Sequence, residues 1–194
     1  TPKEAMLKNS AIDADLRKTI SKLNNDLVKA ISIKSVEGVY KLMSDSLKDF
    51  SGPTFETNVL PQMQQALQGK QLKVFDEYYV CRKNMDSLII VEGGQGSSEY
   101  GFAVKPNTNE TYISMLLAGD ATNEIMITIV YARIKKDWKI NILKGGYYSI
   151  QGKTANDYYT EAQQLYNSGD IIDAINTLGT ANSCLSPSKG LFMY

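Results

Sequence analysis

Residues 124–144 read EIMITIVYARIKKDWKINILK, and the organisation of the whole chain is worked out from this stretch. In Glu124–Ile134, apolar side chains fall on both alternating sets. Ile125, Ile127, Ile129 and Tyr131 stand on one, and Met126, Val130 and Ile134 on the other. Side chains alternate across a strand, so both faces of this one are greasy, which predicts a central strand covered on both sides. Lys135-Lys136-Asp137 supplies a turn. In the strand that follows, Trp138, Ile140 and Ile142 predict one apolar face, with Lys139 and Asn141 on the other. So short a link predicts antiparallel neighbours.

Working outward, the same period of two appears in Leu72–Cys81, Ser87–Glu92, Glu99–Lys105 and Thr111–Ala118, and the last strand is read as running on through Tyr147–Ile150. The connections are rich in turn residues: Gly93–Ser98, Pro106–Asn109 and Gly119-Asp120. Before Leu72 the period is helical. Ile12, Leu16, Ile20, Leu23, Leu27 and Ile31 form the stripe of an amphipathic helix. Ser35 is placed to cap a second helix running through Leu47. After the break Ser51-Gly52-Pro53, a third helical stretch holds Val59, Leu60, Met63 and Leu67, with Pro61 beginning or kinking it and Gly69 ending it. No strand is expected before Ser51.

Helical periodicity returns at Thr154–Ser186, split at Asn167–Asp170. Ala162, Ala174 and Ala181 allow two helices to approach closely, and this hairpin is the expected cover for the second face of the sheet. The reading is an α+β fold: N-terminal helices on a curved antiparallel sheet, then a C-terminal helical hairpin. Residues 1–152 form the helix-and-sheet domain and residues 153–194 the hairpin.

Composition limits the chemistry. The 194 residues carry 21 Lys+Arg against 21 Asp+Glu and no histidine. Neutral balance argues against nucleic acid as a partner. Lack of histidine removes Ser-His-Asp and Cys-His nucleophiles and the usual near-neutral base. No cofactor and no metal site are expected. Cys81 and Cys184 read as two small buried hydrophobes or as one long-range disulfide. Gly93–Ser98 lacks the Gly-Lys-Ser/Thr ending of a phosphate loop and joins two strands, so it reads as a hairpin loop. Asp76 and Glu77 are the mid-strand acids; as neighbours on a strand they face opposite ways and form no dyad. Of the many tyrosines in the sheet region, Tyr79, Tyr112 and Tyr131, with Trp138, are the candidates to line a ligand cavity. Core packing is the plainer reading of each.

The order of helices, antiparallel meander and covering helix resembles the cone-shaped, cystatin-like fold of nuclear transport factor 2 and the ketosteroid isomerases. Val39-Tyr40-Lys41-Leu42-Met43, the Gly-ended Gln64–Gly69 and the Trp138–Asn141 strand resemble bacterial envelope proteins of that superfamily. The C-terminal part resembles one tetratricopeptide repeat, through Ala162, Leu165, Gly169-Asp170, Ile171, Ala174, Leu178 and Ala181. These resemblances imply a non-catalytic binding or assembly module in the bacterial envelope, on its periplasmic or surface side, with a protein or small molecule as partner. They also imply membrane attachment through a lipid anchor ahead of Thr1. The start at Thr1 and the apolar end Leu191–Tyr194 are read as trimmed termini. The alternatives are a ketosteroid-isomerase-type enzyme using a cavity carboxylate and a tyrosine, and a cytoplasmic setting.

Overall fold

The strand that reads as greasy on both faces is buried on both. It is the sixth strand of a computed structural model that describes residues 4–94, 99–120 and 122–193. The chain runs β1 (Ala5–Lys8), α1 (Ala14–Ser32), α2 (Val36–Leu42), α3 (Asp45–Thr54), α4 (Leu60–Leu67), β2 (Leu72–Cys81), β3 (Ile89–Gly93), β4 (Tyr100–Val104), β5 (Glu110–Gly119), β6 (Asn123–Ile134), β7 (Asp137–Ile150), α5 (Ala155–Ser168), α6 (Ile171–Cys184) and β8 (Phe192–Met193). It is an α+β fold with antiparallel sheets.

The helix starts follow their caps. Asp13 accepts from the backbone N–H of Asp15 and Leu16 to open α1, and Ser35 accepts from Gly38 to open α2. The second helix stops at Leu42 and does not reach Leu47. Met43 turns extended and bridges in parallel to Ile140, while the Ser44 N–H donates to the Ile140 carbonyl at 2.8 Å. Ser44 then caps α3 through Leu47 N–H. A sheet edge has outbid helix continuation. Gly52, at φ 55° and ψ −168°, makes the expected break, and a single π-turn (Phe55–Val59) leads into α4, which Pro61 helps to begin.

The strands form two sheets, one of order β1-β2-β5-β6-β7 and one of order β3-β4-β8. Three expectations change here. A strand does precede Ser51: β1 pairs from Ala5↔Cys81 to Lys8↔Tyr78, and four residues are too few to show an alternation. Short links also do not make every consecutive pair neighbours. β2 pairs with β5, and the β3–β4 hairpin between them belongs to the other sheet. Finally, it is the small sheet that covers the second face of the large one, not the C-terminal helices. Ile113, Met115, Leu117, Met126 and Val130 pack against Val91, Phe102, Val104 and Phe192. On the first face Leu116, Ile127, Ile129 and Ile140 pack against Ile20, Leu27, Val39, Phe55 and Leu60 of the helical region.

The register of β7 needs a further correction. Its pairing with β6 shifts between Val130↔Ile142 and Tyr131↔Ile140, so Asn141 is an extra residue. Trp138 and Ile140 face the helices as expected, but the bulge turns Ile142 to the small-sheet side. Lys139 and Asn141 are half-buried rather than exposed. In the third region α5 and α6 pack on each other. Tyr158 Oη ties α5 to the end of β7 by donating to the Ile150 carbonyl at 2.8 Å. β8, inside the segment read as the separate hairpin, sends Phe192 into the core of the first.

Candidate functional site

An apolar cleft lies between the α3–α4 elbow and the edge of the large sheet, with a volume of about 480 Å³. That falls within the roughly 300–1,000 Å³ range of small-ligand pockets. Leu47, Phe50 and Thr54 come from α3, Phe55 and Val59 from the π-turn, and Met63, Ala66 and Leu67 from α4. Ile125 and Ile127 of β6 and residues 143–147 of β7 form the opposite wall. The Gly52-Pro53 elbow sets α4 at a new angle to α3, and Gly145, opposite Ile127, places no side chain in the space between. Phe55 and Leu60 are buried and anchor the elbow, with Phe55 against the Tyr40 ring at 5.7 Å. Phe50 is 85 % exposed at the mouth.

Chemically the cleft is sparse. Its polar side chains are Ser51, Thr54, Gln62 and Tyr147; the one charged residue in its wall, Lys144, stands opposite Thr128 and so faces the small-sheet side. Ser51 is already committed, donating to the Leu47 carbonyl. The arrangement suits an apolar body with a polar end, and it brings no carboxylate to the lining.

The four aromatic candidates lie elsewhere on the same face. Tyr112 and Tyr131 are fully buried, Trp138 nearly so, and Tyr79 partly. None of them lines this cleft, because α1 packs over the sheet where they stand. Tyr79 and Tyr112 set their rings edge-on to Trp138 at 6.4 and 6.3 Å. Tyr79 Oη donates to Glu110 Oε1. Tyr131 Oη donates to Asn24 Oδ1.

Asp76 and Glu77 do face opposite ways. Glu77 points beneath α1, beside Tyr112 and Arg17; burial pushes its carboxyl up, with the Tyr112 hydroxyl and the Arg17 charge pulling the other way. No well-aligned hydrogen bond reaches the Tyr112 hydroxyl, Trp138 Nε1 or Arg17 Nε. Burial, with the Glu77 charge behind it, keeps Tyr112 protonated well above the ordinary tyrosine range. Asp76 points between the sheets. It accepts from Tyr100 Oη and from Asn9 Nδ2 at 2.7 Å, and pairs with Lys8 Nζ at 3.1 Å. Tyr78 and Tyr100 share a 2.8 Å hydrogen bond. This network is satisfied, and it fastens β1 and β4 to β2.

The remaining expectations fall as follows. β3 and β4 pair on either side of the Gly93–Ser98 run, whose residues 95–98 lie outside the described residues. Both cysteines are buried and free. Ala162, Ala174 and Ala181 are buried, and Gly169 ends α5 in the left-handed conformation at φ 91°. Ile172 and Ile175 on the outer side of α6 are exposed. Among the described residues no three His, Cys, Asp or Glu side chains converge as a metal site would require, and no helix is long and apolar enough to cross a membrane. Sequence reasoning missed the cleft. Its one legible signal was Gly145 inside an otherwise bulky strand.

No family model matches the chain, and no curated protein matches it. Among solved structures, a dehydratase candidate of the NTF2-like family from Streptomyces avermitilis is similar over 69 % of this chain and 96 % of its own, at 13 % identity and a TM-score of 0.31. At that score the likeness carries no argument about what this chain does.

Proposed function

We propose that this protein is a non-catalytic binding module that takes an apolar ligand in the cleft under Phe50. The observation that carries the reading is the lining: a pocket-sized space walled by Leu, Met, Phe and Ile, with no acid in its wall. Such a surface gives up water readily, at about 25 cal/mol per Å² of apolar area covered, and offers no acid–base pair to a substrate. Helices over one face of an antiparallel sheet are also the arrangement that the resemblance to the cone fold implies. The bacterial-envelope setting, the lipid anchor and the tetratricopeptide-like character of the hairpin rest on sequence resemblance. The Ala162/Ala174/Ala181 burial supports the last of these.

One observation favours the isomerase-type alternative: a buried carboxylate, Glu77, lies beside the Tyr112 hydroxyl, which makes no well-aligned hydrogen bond. Tyr112 is sealed beneath α1, so this reading requires α1 to move before any substrate is reached.

The test is binding of an environment-sensitive apolar dye and of a medium-chain fatty acid, followed by fluorescence and calorimetry. Filling the cleft with Ala66→Trp should abolish both signals while the far-ultraviolet spectrum stays native. Undiminished binding to that variant would remove the cleft from the reading.

A further inference from the structure

β7 is the outer strand of the large sheet, and its free edge is blocked at two points. Near its start, the Ser44 N–H occupies the Ile140 carbonyl, and Asn141 Oδ1 accepts from Ser44, Ser46 and Asn107. Near its end, Ile150 exchanges backbone hydrogen bonds with Lys153; before that, the backbone of Pro187 packs over the small-sheet face of Gly146, where a Cβ would come within 2.6 Å of the Pro187 carbonyl oxygen. Between these blocks, residues 142–145 pair with Val130, Ile129, Thr128 and Ile127 of β6. On the side away from β6, their backbone makes no hydrogen bond among the described residues. The stretch clear of Pro187 is four residues, about 13 Å at the usual rise of a strand.

This open edge runs between two hollows. The apolar cleft lies on the helix side. On the other side is a second hollow of about 430 Å³, with Ile142, Lys144, Lys189 and Leu191 in its wall. Phe50 lines both and stands exposed over the edge. Lys144 and Lys189 are the charged residues of the two linings, and neither lining holds an acid.

We propose that residues 142–145 of β7 are a strand-addition site for an extended acidic peptide in which apolar and carboxylate side chains alternate. Successive side chains of an added strand point to opposite faces. One set would enter the apolar cleft, and the other would meet Lys144 and Lys189. The same charges argue against a second copy of this chain as the occupant, since edge-to-edge pairing brings Lys144 of each copy together, and like charges across a strand pair are unfavourable. An edge lysine is a common guard against such self-association. This inference rests on the cleft being a ligand site.

The test uses the full chain and a capped six-residue peptide of alternating valine and glutamate, read by amide chemical-shift mapping. Two further peptides carry N-methyl groups, one on every valine amide and the other on every glutamate amide. Alternate amides point to opposite edges of a strand, so one methylated peptide should bind like the parent and the other should not bind. Shifts should centre on residues 142–145, and Lys144→Glu should weaken binding by about tenfold or more, as removal of a charge pairing and its replacement by repulsion would. Equal binding by both methylated peptides would overturn strand addition. So would a dimer that the parent peptide disperses, because the edge would then belong to a second copy. Absence of peptide binding while the apolar dye still binds would overturn this inference and leave the cleft reading standing; loss of dye binding in the Ala66→Trp variant checks that reading separately.

Discussion

Tyr131 Oη donates to Asn24 Oδ1 at 2.8 Å across the interface between β6 and α1, and Asn24 Nδ2 passes the chain on to Ser114 Oγ at 3.0 Å. All three side chains are buried. Directly opposite Tyr131 in the ladder stands Tyr112, equally buried, whose hydroxyl has no such partner.

The pair gives a sharp contrast. Tyr131→Phe leaves the Asn24 carbonyl oxygen without its donor, and should destabilise the protein by about 1–3 kcal/mol. Tyr112→Phe removes a hydroxyl without a well-aligned hydrogen bond, whose one service is its support of the Glu77 carboxylate, and should cost less than Tyr131→Phe. Urea unfolding of the two variants measures both, and equal losses would show that the Asn24 bridge contributes nothing particular.

Glu77 sets a pH dependence. Burial raises its carboxyl pKa in the folded state above the ordinary glutamate value of 4.5. The folded protein therefore holds this proton more tightly than the unfolded chain. The stabilising effect of the protonated group is complete below the unfolded pKa and is lost as pH rises through the folded one. Glu77→Gln should accordingly stabilise the protein at pH 7, with the advantage shrinking as the pH falls through the raised folded pKa toward 4.5 and vanishing below it. A Glu77→Gln advantage that grows on acidification would reverse the assigned sign.

The contact between Gly146 and Pro187 fastens the segment after α6 to β7. A methyl group on Gly146 would meet the Pro187 backbone, which cannot rotate away as a side chain can. Gly146→Ala should cost about 1–3 kcal/mol, as overpacking does, and should raise amide exchange across residues 188–192 before it affects β5 or β6. Unchanged exchange there would mean that the segment is held by other contacts.

Phe192 tests where the C-terminal part belongs. It is buried and stacks on the Tyr100 ring at 4.7 Å. Phe192→Ala should destabilise by about 3–5 kcal/mol, whereas a change at the exposed Ile172 should stay within about 0.5 kcal/mol. Truncation after Lys153 should lower the melting temperature for the same reason. A truncated chain that melts like the full one would show that β8 adds nothing to the core.

The sequence by itself determined the elements whose signals are local. The double-sided greasy run of β6, the cap at Ser35, the Gly52 break and the left-handed stop at Gly69, at φ 71°, need only neighbouring residues and backbone sterics. They appear where the periodicity places them. Opposite facing of Asp76 and Glu77 follows equally from the pleat.

The tertiary structure decided what depends on residues far apart in the chain. Period two says that β2 and β3 are strands but not that they part into different sheets, because both sheets bury the same kind of side chain. Ile142 alternates correctly with Ile140 on paper, and only the pairing with Val130 shows that an extra residue turns it over. Tyr79, Tyr112, Tyr131 and Trp138 have the composition of a cavity wall, yet α1 lies on them and the open space falls instead under Phe50. Where a hollow forms depends on which helix covers which strand, and that is set by packing between segments about a hundred residues apart, as Asn24 and Tyr131 are.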